Sequence, residues 1–465
     1  MTNILILGLG ISGQAVVNFF KNNSNYKINF YDKNIPGSEK ELELENLKKN
    51  KIIFASPGFD INGEILKKAQ DLKLKISSDI DLFGELAGLN KNIKIIGITG
   101  SNGKSTVTKM VFEMIQACGK KVFMGGNIGT SPLDFLPAPL AQEEGVGANL
   151  VFARELDEVF YVLEISSFQM ELANNLKPQV GVFLNLSPNH LDRHKTMEIY
   201  GGLKQKLLDQ SEYQVVLEGL RANTRFAPTP LNLSDEKIKT FGLTQGDFYL
   251  SPNNFLKYKD QDLILRSELA NPEAHNVLNA LGALAVIKTL NLDLEKSCEV
   301  LKTYQPLPHR TEFVCEINGV RYIDDSKATT IGATQAALHS FGFVSPPVGE
   351  ASLKVRPKGR EGVKSKIILL LGGQSKGQDF KDLKKSVDQC VKQVFIFGQD
   401  KNLIFEGLDH QGILLENLEQ AVKQAYLCAE PGDIVLLSPA CASLDHFKNY
   451  EERGECFKNY VRLLI

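Results

Sequence analysis

The chain of 465 residues has room for about three domains, and its 43% hydrophobic and 23% charged residues are ordinary for a globular protein. The formal net charge of −2 gives no global reason to expect a nucleic acid or an anionic membrane as partner. The seven cysteines never stand in a CxxC spacing, and no apolar run approaches the ~18 residues of a membrane span. We therefore expect a cytoplasmic protein without a zinc ribbon. We also expect a monomer, although these properties do not decide the oligomeric state.

Short apolar runs alternate with polar helical stretches over residues 1–92, which is typical of a parallel α/β sheet. The first run reads as a buried strand rather than as a signal peptide. Gly8, Gly10 and Gly13 stand where that strand should turn into a helix, and Asp32 ends the next strand. Such glycines let the backbone approach a diphosphate at a helix N-terminus. This pattern predicts a Rossmann-like nucleotide domain; a tight turn that binds nothing is the alternative.

A second strand-loop-helix unit, KIIGITGSNGKST, begins at Lys94 and carries the strongest local signal. Gly103, Lys104 and Ser105 supply flexible backbone donors, a cation for the β- and γ-phosphates and a hydroxyl for Mg²⁺. The loop is not a strict Walker A motif, because Ile98 occupies the position of its first glycine. We predict a triphosphate site here, with a loop that is merely basic as the alternative.

Polar residues follow the next two predicted strands of this unit. Glu164 ends the apolar run VFYVLE, where an acid can reach Mg²⁺ or its waters, although strand-end glutamates are often only solvated. The following strand ends in a turn that carries Asn185 and His190 at the same sheet edge. His190 and His194 have the spacing of a zinc pair, but a zincin requires glutamate where Leu191 stands. A Mg²⁺-linked role for His190 is therefore preferred to zinc.

A third unit opens near Pro306. Residues 312–323 read as two strands joined by Asn318 and Gly319, a typical hairpin turn pair. The later runs IILLLGG, VFIFG and DIVLLSP each read as a strand before a glycine- or serine-containing turn. We predict an α/β protein of three domains, N-terminal Rossmann-like, central P-loop ATPase-like and C-terminal Rossmann-like. Their expected bounds are 1–92, 93–305 and 306–465.

Seven blocks of the sequence resemble the Mur ligase family in order and approximate spacing. They are ITGSNGKST, LEISSFQ, NLSPNHLDRH, HNVLN, PHRTEFV, DDSKATT and SPACASLDHFKNYEERG. The last two blocks, GLGISG and the SPG at residues 56–58 are most similar to the members that add D-glutamate. The resemblance implies an ATP-dependent amide ligase that joins D-glutamate to UDP-N-acetylmuramoyl-L-alanine through an acyl phosphate, in peptidoglycan precursor synthesis.

The resemblance also assigns site residues. ATP is expected at Gly100, Ser101, Asn102, Gly103, Lys104, Ser105, Thr106, Asn276, Asn279, Arg310 and Asp325. The UDP-linked substrate is expected at Gly10, Ile11, Ser12, Asp32, Lys33, Asn127 and Ser166, and D-glutamate at Lys327, Thr329, Ser443 and Tyr450. The expected catalytic residues are Lys104, Glu164, His190 and Lys204, and two Mg²⁺ ions are expected near Ser105, Glu164, His190 and Lys204. Lys204 matches the lysine that the family carbamylates, which converts a cation into an oxygen ligand.

Some of these residues have simpler interpretations. Arg310 could make a surface ion pair, and Ser443 could cap a helix that begins with LDHFKNY. Lys204 stands in a lysine-rich helix and could be solvated. Tyr450 replaces a phenylalanine that is usual in the family, and a family Asn-x-Asp-Asp motif is missing.

Other functions remain open at this point. The chain could be another Mur ligase or a folylpolyglutamate ligase, although the latter lacks the UDP-binding first domain. A dinucleotide-dependent oxidoreductase built on Gly8–Gly13, or a non-catalytic nucleotide switch, would be of a different class. The segments 137–160 and 343–366 look like insertions, the second a charged surface loop.

Overall fold

The computed structural model describes residues 1–136, 158–187, 189–221, 234–342, 366–375 and 377–464. Most of the two predicted insertions, residues 137–157 and 343–365, lies outside this part of the chain. Within the described residues, the strands form three sheets, and the predicted three-domain α/β fold is confirmed. No helix of the described chain is long and apolar enough to cross a membrane.

The first domain contains a parallel sheet in the order β2-β1-β3-β4. Its central strand is fully buried from Ile4 to Leu7, as expected for a parallel strand with helices on both faces. The strands are β1 Thr2–Leu7, β2 Tyr26–Tyr31, β3 Ile52–Ala55 and β4 Lys75–Ser77. The helices are α1 Ile11–Phe20, α2 Leu44–Leu47, α3 Glu64–Asp71 and α4 Asp79–Ala87.

The central domain contains a larger sheet, which the described residues order as β13-β12-β11-β10-β9-β8-β5-β7-β6. Strands β5 to β11 pair in parallel. Strands β12 and β13 form an antiparallel extension that the sequence did not predict. The strands are β5 Ile93–Thr99, β6 Lys121–Gly126, β7 Val159–Glu164, β8 Val180–Phe183, β9 Tyr213–Leu217, β10 Ile238–Gly242, β11 Phe248–Leu250, β12 Phe255–Tyr258 and β13 Gln261–Leu265. The helices are α5 Lys104–Ala117, α6 Ser167–Met170, α7 Leu191–His194, α8 Met197–Asp209, α9 Glu218–Arg221, α10 Ala274–Thr289 and α11 Leu294–Thr303.

The last domain contains a sheet in the order β14-β15-β19-β16-β17-β18 over the described residues. The predicted hairpin is confirmed: β14 and β15 are antiparallel, and Asn318 and Gly319 have φ of 51° and 76°, as a two-residue hairpin turn requires. The strands are β14 Glu312–Ile317, β15 Val320–Asp324, β16 Ile367–Gly372, β17 Val391–Phe397, β18 Ile413–Leu414 and β19 Ile434–Leu437. The helices are α12 Ile331–Gly342, α13 Lys381–Cys390, α14 Lys401–Gly407, α15 Leu418–Cys428 and α16 Tyr450–Arg462.

The apolar cores connect the domains unequally. One buried cluster contains Phe54 and Phe83 of the first domain together with Leu133 and Tyr161 of the central domain. The Phe83 and Tyr161 rings lie 5.0 Å apart. The last domain has its own clusters on the two faces of its sheet. The first and central domains are therefore packed as one body, whereas the last domain has a separate core.

Candidate active site

The phosphate loop joins the carboxyl end of β5 to the start of α5. Gly103 has φ of 80°, and a Cβ there would lie 2.6 Å from Asn279 Oδ1 of helix α10. Only glycine tolerates both the left-handed backbone and this close approach. The loop therefore lies directly against the asparagine that the resemblance assigns to ATP.

Asn185 holds the phosphate loop in shape. Asn102 donates its N–H to Asn185 Oδ1 at 2.8 Å, and Asn185 Nδ2 donates to Asn102 O at 3.0 Å. Ser101 N–H donates to Asn185 O at 3.0 Å, and the Ser101 hydroxyl donates to Ser187 O at 3.0 Å. The sequence predicts Asn185 at this sheet edge but gives no role for it. Asn185 thus fixes the shape of the loop and accepts the N–H groups of Ser101 and Asn102.

The Lys104 ammonium group lies over the loop. Its Nζ donates to Gly100 O at 2.9 Å and to Ser101 O at 3.0 Å. Burial lowers the pKa of Lys104, and the Glu164 carboxylate opposes that change. A partly desolvated cation with carbonyl partners can turn to a phosphate without losing a stronger ion pair.

Glu164 is 2% exposed, so the interpretation of a solvated strand end is wrong. The Ser105 hydroxyl donates to Glu164 Oε2, and Asn127 Nδ2 donates to Oε1 at 2.7 Å. Arg310 Nη2 donates to the same Ser105 hydroxyl at 2.6 Å. Arg310 therefore reaches from the last domain into the phosphate site, and the interpretation of a surface ion pair is also wrong.

Lys204 is 1% exposed, which excludes a solvated lysine. Its Nζ donates to Gly100 O at 2.8 Å and lies 4.6 Å from the centre of the Tyr200 ring. Burial lowers the pKa of Lys204 well below its usual value; the positive charge of Lys104 adds to this, and Glu164 opposes it. The amine is therefore biased toward its neutral form.

His190 and His194 have different surroundings. His190 has φ of 55°, and its exposed ring lies 4.9 Å from the Phe168 ring. His194 is buried, lies 3.0 Å from the Ser167 hydroxyl and stacks on Tyr200 at 5.5 Å. Over the described residues, the two histidines belong to no group of three potential His, Cys, Asp or Glu ligands.

A cavity of about 480 Å³ lies between the central and last domains. Every residue assigned to ATP except Gly100 lines it, as do Asn127, Glu164, His190, Lys327 and Thr329. Residues without an assignment also line it: Asn185, Ser187, Asn189, His275 and Thr330. All five stand inside the motif blocks NLSPNH, HNVLN and DDSKATT, which was the available signal. Lys104, Glu164 and His190 thus face one space.

The last domain adds ionisable groups whose pKa values are shifted. Burial raises the pKa of Asp325 to about 7, and its Oδ2 accepts from the Ser438 hydroxyl at 2.8 Å. Burial also lowers the pKa of Lys327 to about 8, and its Nζ lies 3.6 Å from the centre of the Tyr450 ring. Shifted groups that converge in a cleft are typical of functional sites.

Ser443 and Tyr450 do not line the cavity, although Tyr450 contacts Lys327. Ser443 is 3% exposed and lies in the segment before α16. The expectation that it caps that helix is wrong, because α16 begins at Tyr450 and Asn449 accepts the Glu452 N–H at 2.8 Å. A role for Ser443 beside an amino acid stays a prediction.

The residues assigned to the uridine end lie at a separate place in the first domain. Gly10, Ile11 and Ser12 form the start of α1, where Ile11 is 66% exposed. Asp32 accepts the N–H groups of Leu9 at 2.8 Å and Asn34 at 2.9 Å, and these bonds lower its pKa. The glycine-rich turn is thus tied to the acid that follows β2. Lys33 follows Asp32 directly in the chain. Ser166, assigned to the muramoyl part, lies in the central domain and caps α6.

Comparison with known proteins agrees with this arrangement. The family model for the Mur ligase middle domain matches residues 98–287. The family model for the Mur ligase glutamate ligase domain matches residues 309–441. A Pseudomonas aeruginosa protein named UDP-N-acetylmuramoylalanine--D-glutamate ligase is 37% identical over 91% of this chain and 86% of its own length. A Buchnera aphidicola protein of the same name is 32% identical over 99% and 98%.

Solved structures share the fold. A UDP-N-acetylmuramate-alanine ligase from Thermotoga maritima superposes with a TM-score of 0.57 at 18% identity over 100% of both chains. The MurF structure from Acinetobacter baumannii gives 0.56 at 14% identity over 90% of this chain and 92% of its own. At such identities these likenesses concern the fold alone. With its domain matches and its full-length relatives, the chain belongs to the Mur ligase family.

Proposed function

We propose that the chain joins D-glutamate to UDP-N-acetylmuramoyl-L-alanine at the expense of ATP, a step in making peptidoglycan precursors. Curated relatives named for this reaction are 31–37% identical to it over most of both lengths. One observation carries the proposal. A single cavity holds the phosphate loop, the buried Glu164 and the cations Arg310 and Lys327 of the last domain.

Amide formation is a problem of activating a carboxylate, which is a poor electrophile at neutral pH. The γ-phosphoryl group passes from ATP to an oxygen of the L-alanyl carboxylate and gives an acyl phosphate and ADP. The amine of D-glutamate then attacks the carbonyl carbon, loses a proton and displaces phosphate. The protein must bring several anions together and exclude water from the acyl phosphate.

The phosphate loop and two cations suit the first step. We assign the Lys104 ammonium and the backbone donors of residues 100–106, other than the N–H groups of Ser101 and Asn102 that Asn185 accepts, to the ATP phosphates. Arg310 neutralises charge that develops on the transferred group, since it already reaches Ser105 at 2.6 Å. We assign Asn276, Asn279 and Asp325 to the same nucleotide because they line the same cavity.

The donor set near Ser105 fits Mg²⁺. A hydroxyl and a buried carboxylate, from Ser105 and Glu164, hydrogen-bond each other beside the loop, and Mg²⁺ prefers such oxygen ligands. His190 lines the same space but is an unusual ligand for so hard an ion. When bound, the ion supplies charge neutralisation at the phosphates.

We further propose that Lys204 carries a carbamate and that the site binds two Mg²⁺ ions. A neutral amine attacks CO₂, a C–N bond forms, and a proton leaves to give a carbamate anion. The lowered pKa of the buried Lys204 supports this, because the neutral amine is the reactive form. Its position beside Gly100 would bring the new oxygens to the edge of the phosphate loop.

The two remaining substrates are assigned to sites that meet at the cavity, which Asn127, Lys327 and Thr329 all line. The start of α1 with Asp32 and Lys33 takes the uridine end, and Asn127 with Ser166 takes the muramoyl part. We assign D-glutamate to Lys327 and Thr329 in the cavity, to Tyr450, which contacts Lys327, and to Ser443; a lysine cation suits a dicarboxylate. Domain limits at 92/93 and 305/306, a monomeric state and a cytoplasmic location belong to the same proposal.

The test is a phosphate-release assay with a panel of amino acids. The purified chain, ATP, Mg²⁺ and UDP-N-acetylmuramoyl-L-alanine should release phosphate with D-glutamate and not with L-glutamate, L-alanine or D-aspartate. Lys104→Met is the matched control and should remove the activity. Release of phosphate only with another amino acid or another UDP-linked acid would point to a different member of the family. Binding of NAD without any phosphate release would contradict the proposal.

A further inference from the structure

Helix α4 lies between the first and central domains and carries two buried acids. Asp79 and Asp81 are each 2% exposed. On the same helix, Ile80 and Phe83 belong to the apolar cluster that the two domains share. Burying a carboxyl group is costly unless its oxygens find donors, so each acid needs partners. The proposed reaction uses neither of them.

Asp79 reaches the central domain through Ser131. The Ser131 hydroxyl donates to Asp79 Oδ2 at 2.7 Å, and Ser131 is itself 1% exposed. Ser131 follows a turn closed by the Gly126 N–H donating to Thr130 O at 3.1 Å. Asn127, assigned to the muramoyl part of the substrate, lies inside that turn. Asp79 therefore holds one end of the turn that presents Asn127.

The hydrogen bonds of the Asp79 carboxyl group are only partly satisfied. Burial raises the pKa of Asp79, and the adjacent hydroxyls of Ser131 and Ser12 oppose that rise. Its second oxygen, Oδ1, is buried and has no hydrogen-bond partner among the described residues. Ser12 stands in the first turn of α1, at the place assigned to the uridine end. Helix α4 packs on α1 in the apolar cluster, where Ile80 and Phe83 meet Ala15 and Val16.

We infer that Asp79 is a positioning residue for the UDP-linked substrate, because it ties the turn that carries Asn127 to α4, and α4 packs on the α1 segment assigned to the uridine end. The two segments contact different parts of one molecule, so their spacing must match that molecule. The Asp79–Ser131 hydrogen bond holds this spacing before the substrate arrives, which lowers the cost of binding. The inference rests on the proposed function, since it requires a UDP-linked ligand.

The test measures binding and kinetics in full-length Asp79→Ala and Asp79→Asn variants. The Kd of UDP-N-acetylmuramoyl-L-alanine, titrated without ATP, and its KM should rise about tenfold in Asp79→Ala and less in Asp79→Asn. The KM values for ATP and D-glutamate should stay within about twofold. Ser131→Ala, which removes one hydroxyl, should raise the same Kd by a smaller factor.

Asp81→Asn is the matched control on the same helix. The Asp81 carboxylate accepts the N–H groups of Asn174 at 2.7 Å and Asn175 at 2.8 Å, also in the central domain. These contacts involve neither Ser12 nor the Asn127 turn, so Asp81→Asn should lower the melting temperature and leave the substrate Kd unchanged. Equal Kd changes in the two asparagine variants, or none in Asp79→Ala, would overturn the inference alone. A wild-type protein that binds no UDP-linked acid would overturn the proposed function as well.

Discussion

The two contacts that the central domain makes with its neighbours differ in kind. Toward the first domain it shares a dry apolar cluster, in which Phe83 packs on Tyr161. Toward the last domain the contact is a polar cavity with the Arg310–Ser105 hydrogen bond, and a Cβ on Gly332 would lie 3.4 Å from the Ser187 hydroxyl. Over the described residues, no apolar cluster contains residues of both of these domains.

This difference separates a permanent contact from one that can open. Parting the first contact would expose aromatic and aliphatic surface to water, which costs roughly 25 cal/mol per Å². Parting the second exchanges hydrogen bonds within the protein for hydrogen bonds to water, which costs little. A ligase that must admit three substrates and then exclude water suits one fixed and one movable neighbour. We expect the last domain to move and the first to stay in place.

The largest effect is expected from a change in the apolar contact. Phe83→Ala should lower the free energy of unfolding by about 3–5 kcal/mol, because the helix cannot close the space that the ring leaves. Chemical denaturation measures this change. Leu89→Ala, at a side chain that is 66% exposed, is the control and should cost less than about 0.5 kcal/mol. Similar losses in both variants would mean that the two domains do not share a core.

The polar contact should behave in the opposite way. Arg310→Ala should lower kcat by about 10²–10³-fold, since one preorganised donor to developing charge is lost. Stability should hardly change, because no apolar core depends on this side chain. Steady-state kinetics and a melting curve on one preparation separate the two effects. Arg321→Ala, at an exposed position of β15, is the control and should keep full activity. A large fall in melting temperature for Arg310→Ala would contradict the comparison.

The polar contact should also be the more sensitive to pH. The pKa of Asp325 is raised from 3.8 to about 7. Between these two pH values the folded chain therefore keeps a proton that the unfolded chain has released. Stability from this residue is therefore present below pH 3.8 and is lost as pH rises toward 7. Asp325→Asn should reduce that loss of stability by about 2 kcal/mol. This is less than the full pKa shift implies, because water stabilises part of the charge on the carboxylate.

Denaturation curves at several pH values would measure the effect. Asp388→Asn, at an exposed acid of the same domain, serves as the control and should leave the pH profile unchanged. If Asp325→Asn leaves the profile as steep as in the wild type, the carboxyl group is not protonated in the folded chain.

The smallest effect is expected at the hydroxyl of Tyr450. Tyr450→Phe keeps the ring beneath Lys327 and should change the KM for D-glutamate by about threefold or less. Tyr450→Leu removes the ring and should raise this KM further. A loss of activity in Tyr450→Phe as large as in Tyr450→Leu would show that the hydroxyl, rather than the ring, contacts the amino acid.

Much of the fold was predictable because its signals are local. The strands around Ile4 and Ile96, the glycine loops and the Asn318–Gly319 turn each depend on residues a few positions apart. Two features were missed for local reasons as well. Strands β12 and β13 are short and alternate weakly. Helix α16 begins later than the LDHFKNY segment predicts, because Asn449, followed by two acids, is the better cap.

The motif blocks alone indicated the family, the phosphate loop and the residues that belong near it, since those depend on residue type and order. The motif blocks did not indicate which of these side chains are buried. Lys204 looked solvated in its lysine-rich helix, yet its amine lies against Gly100, far away in the chain. Similarly, Arg310 meets Ser105 and Asp79 meets Ser131 only because distant elements fold together. Desolvation and hydrogen-bond partners, and with them the shifted pKa values, arise from contacts across the fold, so only the tertiary structure decided them.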